Sequence, residues 1–207
     1  MSTTPDRRIL IAEAALDLIA REGLRALTHR AVDRDLDLPA GSSSYYFRSR
    51  GALLDAAVRR LAQNSRDAFT RSGLEAPERT DDVDASARAV ATTLDEMLLR
   101  RRRDLLVRYA LAVDPTIDPE LHALLATGLF SRDAATTLMA AHRSTQPATA
   151  AADFVGLVEG LVADRLIGAR SRDGIRAGTA DSVEQLARSI AVFLRGLPTE
   201  STGTRPI

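Results

Sequence analysis

Apolar residues recur at helical spacing along nearly the whole chain, and glycine, proline and short polar clusters mark the breaks. Ile9, Ala12, Leu16 and Ile19 form the first stripe, which predicts a helix from about Asp6 to Glu22 with Gly23 as its C-terminal cap. Val32 and Leu36 stand at i and i+4, so they share one face of a short second helix opened by Thr28 as N-cap. Pro39 disfavours the α conformation at Leu38 and ends that run. A third short helix follows from about Ala40 to Tyr46, and Ser49 caps a long fourth one that reaches about Arg71. The fourth turns Leu54, Val58, Leu61, Ser65 and Ala68 or Phe69 inward.

Ser72 to Thr80 reads as a loop, and a fifth helix starts near Asp81 with the stripe Val83, Ala87, Val90, Leu94, Met97 and Leu98. The sixth runs from Asp104 to Val113. The seventh is expected as one helix from about Pro119 to His142, carried by Leu121, Leu124, Leu125, Gly128, Leu129 and Leu138. The eighth spans about 148–169 and the ninth 179–197, ended by Pro198. No strand and no internal repeat is visible. The expectation is an all-α fold of about nine helices: a helix-turn-helix domain over 1–48, a larger helical domain over 49–197, a loose arm at Met1 to Pro5 and a disordered tail over 198–207.

Two short helices joined by a tight turn make a helix-turn-helix, whose second helix enters a DNA major groove. Gly41, Ser42 and Ser43 are small enough for close approach to base edges, and Tyr45, Tyr46 and Arg50 can donate to phosphates. A plain helical hairpin with solvated serines would show the same spacing. The residues themselves say more. I-x-x-A-A-L-x-L-I-A at Ile11 to Ala20, Glu22-Gly23, the helix opening at Thr28 and G-S-S-S-Y-Y-F-R-S-R-G-A-L-L at Gly41 to Leu54 resemble the N-terminal DNA-binding domain of the TetR family of transcriptional repressors. The spacing matches without a gap from Thr28 to Leu54.

That resemblance implies that Thr28, Ser44, Tyr45, Tyr46 and Arg50 hold phosphates, and that Arg30, Ala40, Gly41 and Ser42 face bases. Arg30 is the residue suited to a bidentate guanine contact, and a phosphate or surface arginine is the equal alternative. The chain departs from the family at Ala40, where many members carry a longer polar side chain, and at Ser43-Ser44, which replace a common Leu-Tyr pair.

Charge adds nothing to this picture. The 28 basic residues, all arginine, balance 28 acids, and the first fifty residues carry a surplus of only one. Absence of cysteine excludes disulfides and thiolate metal sites. No signal peptide and no run of membrane-spanning length is apparent, so a cytoplasmic protein without membrane association is expected. Asp81, Asp82 and Asp84 suit a helix N-terminus better than a metal, for which spaced partners are missing. There is no nucleophile–base pair, no glycine-rich phosphate loop and no metal cluster, and His29, His122 and His142 stand alone. No enzymatic activity and no cofactor are expected.

Helices 148–169 and 179–197 are apolar over wide arcs, with Leu157, Leu161, Val162, Ile167 and Ala191 off the main stripes. Two such pairs about a two-fold axis would form a four-helix bundle. TetR-like proteins usually dimerise there, which implies a homodimer on a near-palindromic operator. The resemblance also implies a small-molecule effector, apolar or aromatic, released-state control of DNA binding, and a lining drawn from Leu94, Met97, Tyr109, Leu125, Phe130 and Phe154. Ordinary core packing is the plainer account of each of these six. The arginine run at 100–103 either solvates a helix C-terminus or contacts the DNA-binding helices. The function expected is a ligand-responsive repressor. The alternative is a helical interaction protein that has lost sequence-specific DNA binding, which the plain surface from Ala40 to Ser43 keeps open.

Overall fold

The computed structural model describes residues 6–71, 82–115, 117–127 and 130–199. The expected N-terminal arm, the 72–80 loop, Asp81, Gly128, Leu129 and positions 200–207 of the expected tail lie outside them, as does the Phe69 side chain. Among the described residues the fold is all-α. The helices are α1 (Arg7–Glu22), α2 (His29–Asp35), α3 (Ser42–Tyr46), α4 (Arg50–Arg71), α5 (Val83–Arg100), α6 (Arg102–Ala112), α7 (Pro119–Thr127), α8 (Arg132–Ala141), α9 (Pro147–Leu166) and α10 (Ala180–Arg195), with 3-10 turns at Leu24–Ala26 and Ala169–Arg172. There are ten helices where the sequence predicts about nine. The helix expected over 119–142 is two, because Ser131 starts a new one: its hydroxyl accepts from the Ala134 amide at 3.1 Å.

The helices fall into two compact units that do not follow chain order. One holds the chain up to Arg71 together with the stretch from Arg102 to Leu129, and the other holds the remainder. The boundary expected at 48/49 therefore falls inside the first unit.

In the first unit α1 packs on α4 and α6. Asp6 caps its start by accepting from the Arg8 amide, and Gly23, at φ 82°, closes it by donating to the Ile19 carbonyl. Ile11, Ala15 and Leu18 are fully buried in a core that continues through Leu53 and Ala57 of α4 and Val107 and Leu111 of α6. Each fully buried leucine or isoleucine contributes about 1.5–3 kcal/mol relative to exposure. Ile9, expected on the inward stripe, is instead exposed, since it lies in the first turn ahead of this contact zone.

Glu13 ties the three helices together. It accepts from Arg60 at 2.6 Å, from Asn64 at 3.2 Å, and pairs with Arg103 at 2.8 Å. Burial pushes the Glu13 carboxyl up, but these donors and the Arg103 charge outweigh it and hold its pKa below the ordinary value. Arg103 also meets Asp17 and Asp104, so the arginine run of 100–103 touches α1 through this residue.

In the second unit α10 packs along α5, and α8 along α9. Asp82 caps α5 by accepting from the amides of Asp84 and Ala85, while Asp84 pairs with Arg195. Asp82 thus serves the helix end. Asp95 of α5 is buried and accepts from the Ser182 hydroxyl of α10 at 2.5 Å and the Gly178 amide at 2.8 Å. Ser182 in turn accepts from the buried Arg165 of α9 at 2.8 Å, and Arg165 also reaches Gln185 at 2.9 Å and the Ile175 carbonyl at 3.2 Å. Pro198 and Thr199, assigned to the tail from sequence, are held: the Pro198 carbonyl accepts from the Thr145 amide at 2.9 Å, and Thr199 bridges to Ser144.

Candidate nucleic-acid interface

The turn between α2 and α3 is fixed by one carboxylate. Thr28 caps α2 as expected, its hydroxyl accepting from the Ala31 amide at 3.2 Å. Val32 of α2 is fully buried and Leu36 half-buried, which seats the helix on the core. Asp33, beside Val32, points inward too. Its two oxygens accept from the Gly41 and Ser43 amides, each at 2.8 Å. Gly41 is the N-cap of α3 and has no hydroxyl or carboxyl of its own to offer the orphan amides, so Asp33 does so from the neighbouring helix. Burial pushes the Asp33 carboxyl up, but hydrogen bonds from Ser43 and Gly41 overcome this and hold it below the usual carboxylate range.

The same joint carries backbone in the left-handed region, Asp37 at φ 54° and Gly41 at φ 90°. Ser43 is fully buried and donates its hydroxyl to the His29 carbonyl at 3.2 Å. His29 lies 2.7 Å through Nε2 from the Phe47 carbonyl, so α2 and α3 are joined at both ends. Ser43 is therefore not part of the outward surface that its small size suggested. The buried Asp33–Ser43 pair is also the feature that sequence reading missed. The available signal was an inward acid on a short helix, followed eight residues later by a helix start with no polar N-cap.

Ala40 and Gly41 are exposed. Ser42 and Ser44 are half-buried, and their hydroxyls donate to the Pro39 carbonyl at 2.6 Å and the Gly41 carbonyl at 2.7 Å. Both keep lone pairs with which to accept. Tyr45 is 72% exposed and Tyr46 half-buried, with the two rings edge to face at 5.3 Å. Arg30 is exposed and has no ion pair among the described residues.

Arg50 departs from expectation. Its Nε donates to the Leu27 carbonyl at 2.9 Å and an Nη to the Leu24 carbonyl at 2.7 Å. The guanidinium that was expected on a phosphate is engaged with the 3-10 turn before Thr28.

Pairing also changes the reading of charge. Glu13, Asp17, Glu22 and Asp35 face arginines, with Arg21 pairing to both Glu22 and Asp35, and Asp33 faces amides. Arg8, Arg25, Arg30, Arg34 and Arg48 are exposed without an ion pair among the described residues. Asp6 and Asp37 are exposed acids likewise without an ion pair among the described residues, so arginines outnumber acids among the unpaired side chains of this region. A hollow of about 520 Å³ at Gly51, Asp55, Asp118 and Glu120 has the wrong sign for a phosphate.

The six residues assigned to an effector divide between the units. Tyr109 and Leu125 lie in the first, and Leu94, Met97, Phe130 and Phe154 in the second. Leu94, Leu125 and Phe154 are buried, and Phe154 packs on Phe193 with centroids 5.4 Å apart. Met97, Tyr109 and Phe130 are half-buried. Among the described residues no group of three histidines or acids is placed to hold a metal ion, and no helix is long and apolar enough to cross a membrane.

A family model described as the tetracyclin repressor-like C-terminal domain matches residues 81–190, just over half of the chain. No curated protein matches the sequence. A transcriptional regulator from Rhodococcus sp. Rha1 has a similar structure, with a TM-score of 0.70 and 22% identity over 94% of this chain and 99% of that one. The multidrug binding protein EbrR, solved with malachite green, gives 0.65 and 21% over 94% and 100%. A TetR-family member from Streptomyces coelicolor A3 gives 0.63 and 24% over 89% and 98%. These structures share the fold, and the family match covers the half of the chain that the N-terminal motif does not. From both halves, the chain belongs to the TetR family of transcriptional regulators, DNA-binding proteins that are not enzymes.

Proposed function

We propose that the protein is a ligand-responsive repressor that binds a near-palindromic operator as a homodimer. The observation that carries this reading is the Asp33-locked joint of α2 and α3, which leaves Ala40, Gly41 and Tyr45 outward. In this reading Arg30, Ala40, Gly41 and Ser42 face bases, and Thr28, Ser44, Tyr45 and Tyr46 hold phosphates. The functional division is a DNA-binding domain over 1–48 and an effector and dimerisation domain over 49–197. Dimerisation uses α9 and α10, where Ile167 and Val192 are 62% and 66% exposed and a second copy would cover them.

The effector is a small apolar or aromatic molecule; EbrR, which shares the fold, has been solved in complex with malachite green. Leu94, Met97, Phe130 and Phe154, all in the second unit, are the contacts proposed for the effector. Arg103 couples α6 to α1 through Glu13, so a ligand that favours one position of α6 would bias the DNA-binding helices. The protein acts in the cytoplasm.

Selection of bound sites from a random duplex library, run at two salt concentrations with the purified chain, tests this. Recovery of a palindrome with half-sites about one helical turn apart is expected. Weak, salt-sensitive binding with no recovered sequence would sink the sequence-specific reading and favour the interaction protein.

A further inference from the structure

We propose that Arg8 is a phosphate-binding residue of the recognition element and that Arg50 is a positioning residue for it. The inference rests on the DNA-binding reading above. A cation that grips a phosphodiester needs donors not already committed and a fixed orientation. Arg50 meets the first only in part: two of its five N–H donors are already given to the Leu24 and Leu27 carbonyls, at 2.7 and 2.9 Å. Those bonds fasten the 3-10 turn that ends at the Thr28 cap, so the side chain acts on DNA through the placement of α2.

Arg8 has both properties. Its guanidinium carbon lies 5.4 Å from the Phe47 ring centroid and 5.9 Å from that of Tyr46. Two aromatic rings at cation–π distance restrict where the guanidinium can sit while leaving its N–H groups uncommitted. Arg8 is exposed, and no carboxylate pairs with it among the described residues. One of the two rings belongs to Tyr46, at the end of the recognition helix, and the neighbouring Tyr45 ring meets it edge-on at 5.3 Å. The stack therefore places a free cation beside the hydroxyl donors proposed to hold the DNA backbone. The motif extends from α3 into the first turn of α1, a residue that the resemblance does not supply.

The test compares salt dependence of binding to the duplex selected by the wild-type chain. R8A and R8Q are expected to reduce the slope of log affinity against log salt by about 0.9 for each copy of the chain on DNA. R50K keeps the charge but not the two-pronged geometry. It is expected to lower the thermal midpoint and the affinity while leaving the slope at the wild-type value. An unchanged slope in both Arg8 variants, with wild-type circular dichroism, would overturn the role of Arg8. Wild-type thermal midpoint and affinity in R50K would overturn the role of Arg50, because a phosphate contact tolerates lysine and a carbonyl fork does not. If the wild-type chain itself shows no salt-sensitive duplex binding, the DNA-binding reading fails and takes this inference with it.

Discussion

Each unit contains a buried aspartate that accepts two hydrogen bonds, and the two do different work. Asp33 in the first unit accepts from two backbone amides and fixes the angle between two short helices. No arginine pairs with it among the described residues. Asp95 in the second unit accepts from a hydroxyl and an amide and sits one hydroxyl away from the buried Arg165. Burial lowers the pKa of Arg165, and the Asp95 charge opposes that shift. The first network shapes the surface proposed to meet DNA. The second joins three helices from inside. The difference is a matter of what must be exact: α2 and α3 are seven and five residues long and have little packing of their own, whereas α5, α9 and α10 have ample apolar faces.

Substitution at Asp95 should show the largest effect. D95A leaves Arg165 without its nearest countercharge and two donors without an acceptor, and a loss of about 3–5 kcal/mol is expected in urea unfolding. D33A leaves two amides unmet at a smaller site, and about 2–3 kcal/mol is expected, together with loss of sequence-specific binding. If D33A proved the more destabilising of the two, the contrast between the units would be wrong. The Asp33 contribution also has a direction in pH. Because its folded pKa is lowered, its stabilisation is complete above the ordinary carboxylate pKa of about 4 and is lost as pH falls through the lower folded value. D33A should therefore lower stability at neutral pH and flatten the acid limb of the stability profile.

Smaller effects separate backbone from side chain at the same joint. G41A forces a β-carbon onto φ 90° and should cost about 1–2 kcal/mol, although space is available, since the nearest atom would be the Ser44 hydroxyl at 3.8 Å. D37G should do the reverse. It relieves φ 54° at a non-glycine residue and is expected to raise stability by less than about 1 kcal/mol, visible as a small upward shift in the thermal midpoint.

Much of this fold was legible because the signals are local. Gly23, Thr28, Ser49 and Pro39 each act within a few residues, and each stands where its chemistry placed a boundary. The break at Ser131 is hard to see because Leu121, Leu125 and Leu129 keep helical spacing up to it; Leu138, nine residues beyond Leu129, falls half a turn off that face, which is a local sign of the break. The site was legible in part for the same reason. Family resemblance located the helix-turn-helix, but the donors and acceptors that commit Arg50, Asp33 and Ser43 lie 8 to 26 residues away along the chain. Such pairings exist only in three dimensions, as does the stack of Arg8 on Tyr46 and Phe47.

The Asp95–Ser182 hydrogen bond spans 87 residues of sequence. At about 5–20 residues per second of synthesis, α5 leaves the ribosome some 4 to 17 seconds before α10 can meet it. During that interval Asp95 lacks its serine, for most of it Arg165 is also still to be made, and the apolar face of α5 awaits its main cover. The first unit is complete well before then, since its last helix ends at Thr127. A nascent chain of this protein thus passes through a stage with one finished half and one open half.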